Sequence, residues 1–129
     1  MIGGVSMAAV IDVDLEIDRI SRSVGSVCSI KYSYTLVCDE AEVRLGLGFT
    51  LWCELWGQDV FVDDVLGQLV YDTHTLAAAP RSMHTRSFIV PCSILDEDLG
   101  MDEVYAKVCA TSSLGVTCCG ASSIVRDHF

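Results

Sequence analysis

An all-β fold, a single antiparallel β-sandwich of seven or eight strands, is what this sequence predicts, and three observations predict it. Apolar and polar residues alternate with a period of two in several segments. No segment sustains an apolar repeat of 3.6 residues, so helix content is expected to be low. The connections are short and polar and leave no room for a crossover helix, which disfavours a parallel sheet. At 129 residues and 51% hydrophobic, the chain has the size of one domain and can bury one core, so residues 1–129 are read as a single unit.

The first strand is expected over residues 9–20, where Ile11, Val13, Leu15 and Ile17 point inward and Asp12, Asp14, Glu16 and Asp18 point outward. Such an acidic row is a solvated face that discourages edge-to-edge pairing. After a turn at 21–25, Cys28, Ile30, Tyr32, Tyr34, Leu36 and Cys38 share the inner phase of a second strand. Following the connection at 39–41, Val43, Leu45, Leu47, Phe49, Leu51, Cys53 and Leu55 hold one phase for thirteen residues and predict a long central strand. Its other face carries Arg44, Thr50, Trp52, Glu54 and Trp56, with Gly46 and Gly48 marking a bend or a close backbone approach. Shorter strands are expected at 66–73, around Phe88, Val90, Cys92 and Ile94, at 104–111, at 116–119 and at 122–126. Pro91 on the outer phase marks an edge or bulge.

Eighteen acidic against eight basic side chains give a net charge of −10, which repels phosphate backbones and anionic membranes. Direct binding to nucleic acid is thereby disfavoured. The longest uncharged apolar run is half the length of a membrane span, and the N-terminus lacks a basic region followed by an apolar stretch. A soluble, unprocessed chain is expected. Seven cysteines stand at 28, 38, 53, 92, 109, 118 and 119 without a CxxC or a paired zinc spacing. Cys28, Cys38, Cys53 and Cys92 keep step with apolar neighbours, so free buried thiols, a reducing compartment and a cytoplasmic location are expected.

If consecutive strands alternate in direction, chain parity sends the connections 21–25, 57–64 and 95–103, with the C-terminal residues, to one end of the sandwich. Half of the acidic residues gather there. Calcium takes six to eight oxygen ligands, which carboxylates on converging loops supply, and Asp59, Asp63, Asp64, Asp96, Asp98 and Asp102 are the candidate ligands. An EF-hand loop started at Asp96 would need Gly at its sixth position and Glu at its twelfth, where Met101 and Lys107 stand. The run Asp96-Glu97-Asp98-Leu99-Gly100-Met101-Asp102-Glu103 instead resembles the third calcium-binding loop of C2 domains. That resemblance, over eight residues, implies a cation held by aspartates at the end of a β-sandwich.

His74 and His84 bracket the loop at the opposite end, near Cys38, Asp39, Glu40 and Asp72, where a small enzyme would build a Cys–His pair or a metal cluster. GxSxG, HExxH and phosphate-cradling glycine motifs are absent. The leading expectation is therefore a non-catalytic binding or interaction module, with calcium at the acidic end and a protein or small ligand as partner. The alternative is a structural subunit of a homo-oligomer using the Trp52 and Trp56 face or an uncovered strand edge.

Overall fold

A computed structural model describes residues 8–20, 27–58, 64–65, 70–71, 75–76, 79–95 and 102–127. They form two antiparallel sheets with a short helix. One sheet orders β1 (Ala9–Arg19), β2 (Val27–Val37) and β7 (Arg81–Pro91) side by side. In the other, β3 (Gly48–Gly57) and β8 (Asp102–Ser112) pair at the centre. The two-residue strands β4 (Asp64–Val65), β5 (Val70–Tyr71) and β6 (Thr75–Leu76) follow one another along the free side of β3. β9 (Thr117–Ala121) and β10 (Val125–Asp127) do the same along β8. Counted as columns, three strands face four, in line with the seven or eight expected. Of the strand expected at 66–73, residues 66–69 and 72–73 lie outside the described residues.

The inner phases of the central strands are those the sequence predicts. Cys28, Ile30, Tyr32, Tyr34, Leu36 and Cys38 are buried, and so are Leu47, Phe49, Leu51, Cys53 and Leu55. Val104, Ala106, Val108 and Ala110 of β8 complete the layer between the sheets. Tyr32 anchors the aromatic part of the core, with the Tyr34 ring stacked at 6.1 Å and the Phe88 ring edge-on at 6.1 Å.

Three expectations need correction. The long strand does not begin at Val43, because residues 40–45 form a helix, α1 (Glu40–Leu45). Asp39 and Glu42 make a capping box: the Asp39 carboxylate accepts from the Glu42 amide at 2.7 Å, and the Glu42 carboxylate accepts from the Asp39 amide at 2.8 Å. Gly46 closes the helix at φ 60°, a left-handed conformation that suits glycine. Leu45 consequently lies 74% exposed instead of inward. Ile11 is not on the inner phase either. The pairing of β1 with β2 slips between Ile11 and Asp14, and Asp12 takes φ 52°, so a bulge reverses the alternation there. Val10 is the buried residue before the bulge and Leu15 the buried one after it.

The third correction concerns the cysteines. Cys28 and Cys92 form a disulfide across a separation of 64 residues, and Cys109 and Cys119, register partners on β8 and β9, form another. Cys38, Cys53 and Cys118 are free. Disulfides belong to oxidising surroundings, so the cytoplasmic location inferred from seven free thiols loses that support. Burial, ahead of the nearby Glu54, pushes the Cys53 thiol up to about 12. Burial followed by Glu42 pushes Cys38 up to about 11, and the Cys118 thiol is raised by the same two causes. All three therefore stay protonated and weakly nucleophilic at neutral pH.

The two sheets meet at one side. β1 packs against β8, β9 and β10, and at Gly120 the backbones approach so closely that a Cβ would collide with the Val10 carbonyl oxygen. At the other side β7 is, among the described residues, the last strand of its sheet. Among the described residues no helix is long and apolar enough to cross a membrane.

Candidate functional site

Within the four-column sheet the described strand ends follow the parity expected from sequence. β3 ends, and β4 and β8 begin, at one end of the four-column sheet, where Gly57 stands opposite both Asp64 and Val104. β10 ends there too, placing Asp127 opposite Asp102, and the Gln58 amide donates to the Glu103 carbonyl at 2.8 Å. Asp64 and Asp102 are thus brought to the same end, on either side of β3. Asp59, Asp63, Asp96 and Asp98 lie outside the described residues. Arg126 lies 3.6 Å from the Glu103 carboxylate and offsets part of the local charge. Among the described residues no group of three or more His, Cys, Asp or Glu side chains could hold a metal ion.

The opposite end is built differently from the Cys–His arrangement considered above. His84 lies within β7, its ring stacked on buried Tyr34 at 5.1 Å and its Nε2 3.0 Å from the Ser82 hydroxyl oxygen. Asp39 and Glu42 cap α1, and Glu40 is in an ion pair with Arg44. His74 and Asp72 lie outside the described residues.

Trp52 and Trp56 do share the outer face of β3, and the residue between them explains how they stand. Each indole N–H donates to one oxygen of Glu54, at 2.8 Å from Trp52 and 2.9 Å from Trp56. On β8, Tyr105 stacks on Trp56 at 6.4 Å and the Lys107 ammonium lies 5.5 Å from the Trp56 ring centre. All five side chains are half-buried, which makes this a consolidated face with its polar atoms engaged. On the outer face of the other sheet, Asp14, Glu16, Lys31, Ser33 and Thr85 line a shallow polar depression of about 140 Å³. Its mixed charges make it a hydrated surface.

The feature least anticipated from sequence is β7. It is eleven residues long, it pairs with β2 over its whole length from Arg81 to Pro91, and among the described residues no strand pairs its other side. Thr85, Arg86 and Ser87 are exposed in succession. Neighbouring residues of a strand point to opposite faces, so exposure of three in a row means that side chains on both faces of the middle of β7 reach solvent. Met83 is 82% exposed and Ile89 64%, both on the outer face. The strand carries Arg81, His84 and Arg86, and no carboxylate occurs between residues 80 and 95. Sequence alternation located a strand here from Phe88 onward. Pro91 marked an edge or bulge in it, and the polar stretch 81–87 concealed the strand's first half. The charge contrast with the rest of the chain was the available signal.

No family model matches the chain, and no curated protein matches it in sequence. Two solved structures follow a similar course. One is a protein assigned as ApaA from Bordetella pertussis, 8% identical, with a TM-score of 0.48 over 96% of this chain and 94% of that one. The other is a structural-genomics target, 9% identical, with a TM-score of 0.46 over 93% of this chain and 86% of that one.

Proposed function

We propose that this domain is a non-catalytic interaction module that makes its contact through the open edge of β7. The observation that carries the reading is the run of exposure at Thr85, Arg86 and Ser87 on a strand that, among the described residues, is paired on one side. An edge strand presents alternate N–H and C=O groups outward, and a long flat one accepts a further strand from a partner unless it is blocked. Two of the usual blocks, proline and bulges, barely interrupt β7, while the charges of Arg81 and Arg86 remain. Proline enters β7 only at its last residue, Pro91, and β7 pairs with β2 in unbroken register, without a bulge. Amide hydrogen exchange on the isolated protein tests this. Alternate amides of β7, those not bonded to β2, exchange well ahead of the amides of β2, which is paired on both sides. If every β7 amide is as protected as those of β2, the edge is already covered and the reading is lost. Self-pairing of β7 would give a homo-oligomer, seen as a concentration-dependent mass in sedimentation.

The backbone placement of Asp102 opposite Asp127, with Asp64 at the same end, favours a second reading in which calcium binds the acidic end. Carboxylates held together repel, and a divalent cation that bridges them relieves the repulsion. Calcium that binds only the native form at a hundredfold excess over Kd adds about 2.7 kcal/mol. Thermal melting with millimolar calcium should then rise by several degrees, and Asp96→Asn with Asp98→Asn should abolish the rise. An unchanged melting temperature removes calcium and leaves the β7 contact untouched.

A further inference from the structure

The edge reading leaves the chemistry of the incoming strand open, and the charge distribution along the chain narrows it. The protein carries a net charge of −10, yet the stretch from Pro80 to Leu95 has no carboxylate and holds Arg81, His84 and Arg86. Arg81 and Arg86 are both exposed, and being five residues apart they lie on opposite faces of β7. A strand laid against this edge would therefore have a cation near it on each face. Residues directly opposite on paired strands have Cβ atoms about 5 Å apart, close enough for opposite charges to attract and like charges to repel. A second copy of β7 would bring two more arginines and no carboxylate to meet them, so self-pairing is the poorer match. The acidic strand of this chain, β1, packs against β8, β9 and β10.

Resting on the edge reading above, we propose that β7 accepts an extended segment of a partner protein rich in Asp and Glu, which adds as a fourth strand to the sheet of β1, β2 and β7. Exposed Met83 and Ile89 supply apolar contact on the outer face, so the segment combines carboxylates with aliphatic side chains. Main-chain hydrogen bonds give such a complex its hold, and side chains on alternate positions give it selectivity.

Fluorescence anisotropy with the full chain tests this, using three labelled ten-residue peptides that alternate Val with Glu, Val with Ser, or Val with Lys. The Val/Glu peptide should bind about tenfold or more tighter than the Val/Ser peptide, with an advantage that shrinks as salt is raised, and the Val/Lys peptide should bind most weakly. Arg81→Glu with Arg86→Glu, both at exposed positions, should invert that order, and circular dichroism should confirm that the variant is folded. Equal binding of the Val/Glu and Val/Ser peptides, with β7 amides protected on binding, would overturn the acidic preference and leave the edge reading standing. Binding of the Val/Glu peptide without any gain of protection in β7 would place it elsewhere and overturn the proposal. Failure of all three peptides to bind also overturns the proposal, while the exchange pattern of the free protein still decides the edge reading by itself.

Discussion

Phe49→Ala should lower the unfolding free energy by about 3–5 kcal/mol, the usual cost of emptying a buried phenylalanine site. Phe49 is 1% exposed, on the inner phase of β3 between Leu47 and Leu51, which are buried with it. β3 is hydrogen-bonded to β8 on one side and to β4, β5 and β6 on the other. Its backbone is therefore held in place, and the cavity collapses poorly. Chemical denaturation monitored by the tryptophans reads the loss as a lower midpoint with an unchanged slope. Trp52→Ala is the comparison. Trp52 is half-buried on the outer face, so its removal should cost less than Phe49 despite its larger ring, and part of that cost is the hydrogen bond surrendered by Glu54. A loss below about 0.5 kcal/mol at Phe49, against a usual 3–5, would mean that the inner phase of β3 had been assigned backwards.

Removal of the Cys28–Cys92 bond is expected to have the other large effect. It joins β2 to the 3-10 turn Cys92–Ile94 that follows β7, and both cysteines are almost wholly buried. In the chain-entropy account, freeing a loop of 64 residues costs roughly 4 kcal/mol. The 10-residue loop closed by Cys109–Cys119 accounts for about 3 kcal/mol on the same basis. A Cys28→Ala, Cys92→Ala pair should therefore destabilise the protein more than a Cys109→Ala, Cys119→Ala pair. Thiol titration gives the direct check. In denaturant without reductant the reagent should find the three free thiols of Cys38, Cys53 and Cys118, and with reductant all seven. Seven thiols in the absence of reductant would contradict both bonds.

These cysteines separate what alternation encodes from what it does not. Period-two alternation placed Cys28, Cys38 and Cys53 inside correctly, because burial follows from phase within one strand. A disulfide depends on which strands are neighbours and in what register, and alternation carries neither. The same holds for β7, whose importance lies in being paired, among the described residues, on one side. The helix at Glu40–Leu45 was legible in principle, since Asp39 and Glu42 have the spacing of a capping box. The accidental phase match of Val43 and Leu45 with β3 outweighed it. The bulge at Asp12 was hidden, because nothing in a row of alternating Ile, Asp, Val and Asp announces a left-handed residue. Chain parity did place Asp64 and Asp102 at one end of the sheet, since it needs only the strand count and an antiparallel order.

The crowding at Gly120 makes the sandwich lopsided in what its sequence is free to vary. Along the side where β1 meets β9, the distance between sheets is fixed by two backbones, and at position 120 even a methyl group would have to force the Val10 carbonyl aside, with the Val13 side chain only 3.2 Å away. Substitution there is felt by both sheets at once. Along β7 the solvent-facing positions are nearly unconstrained by the fold, so new side chains can be tried at 81, 83, 85, 87 and 89 with little cost to the core. A lineage descended from this protein could thus exchange one partner for another along its open margin while its closed seam stayed the same.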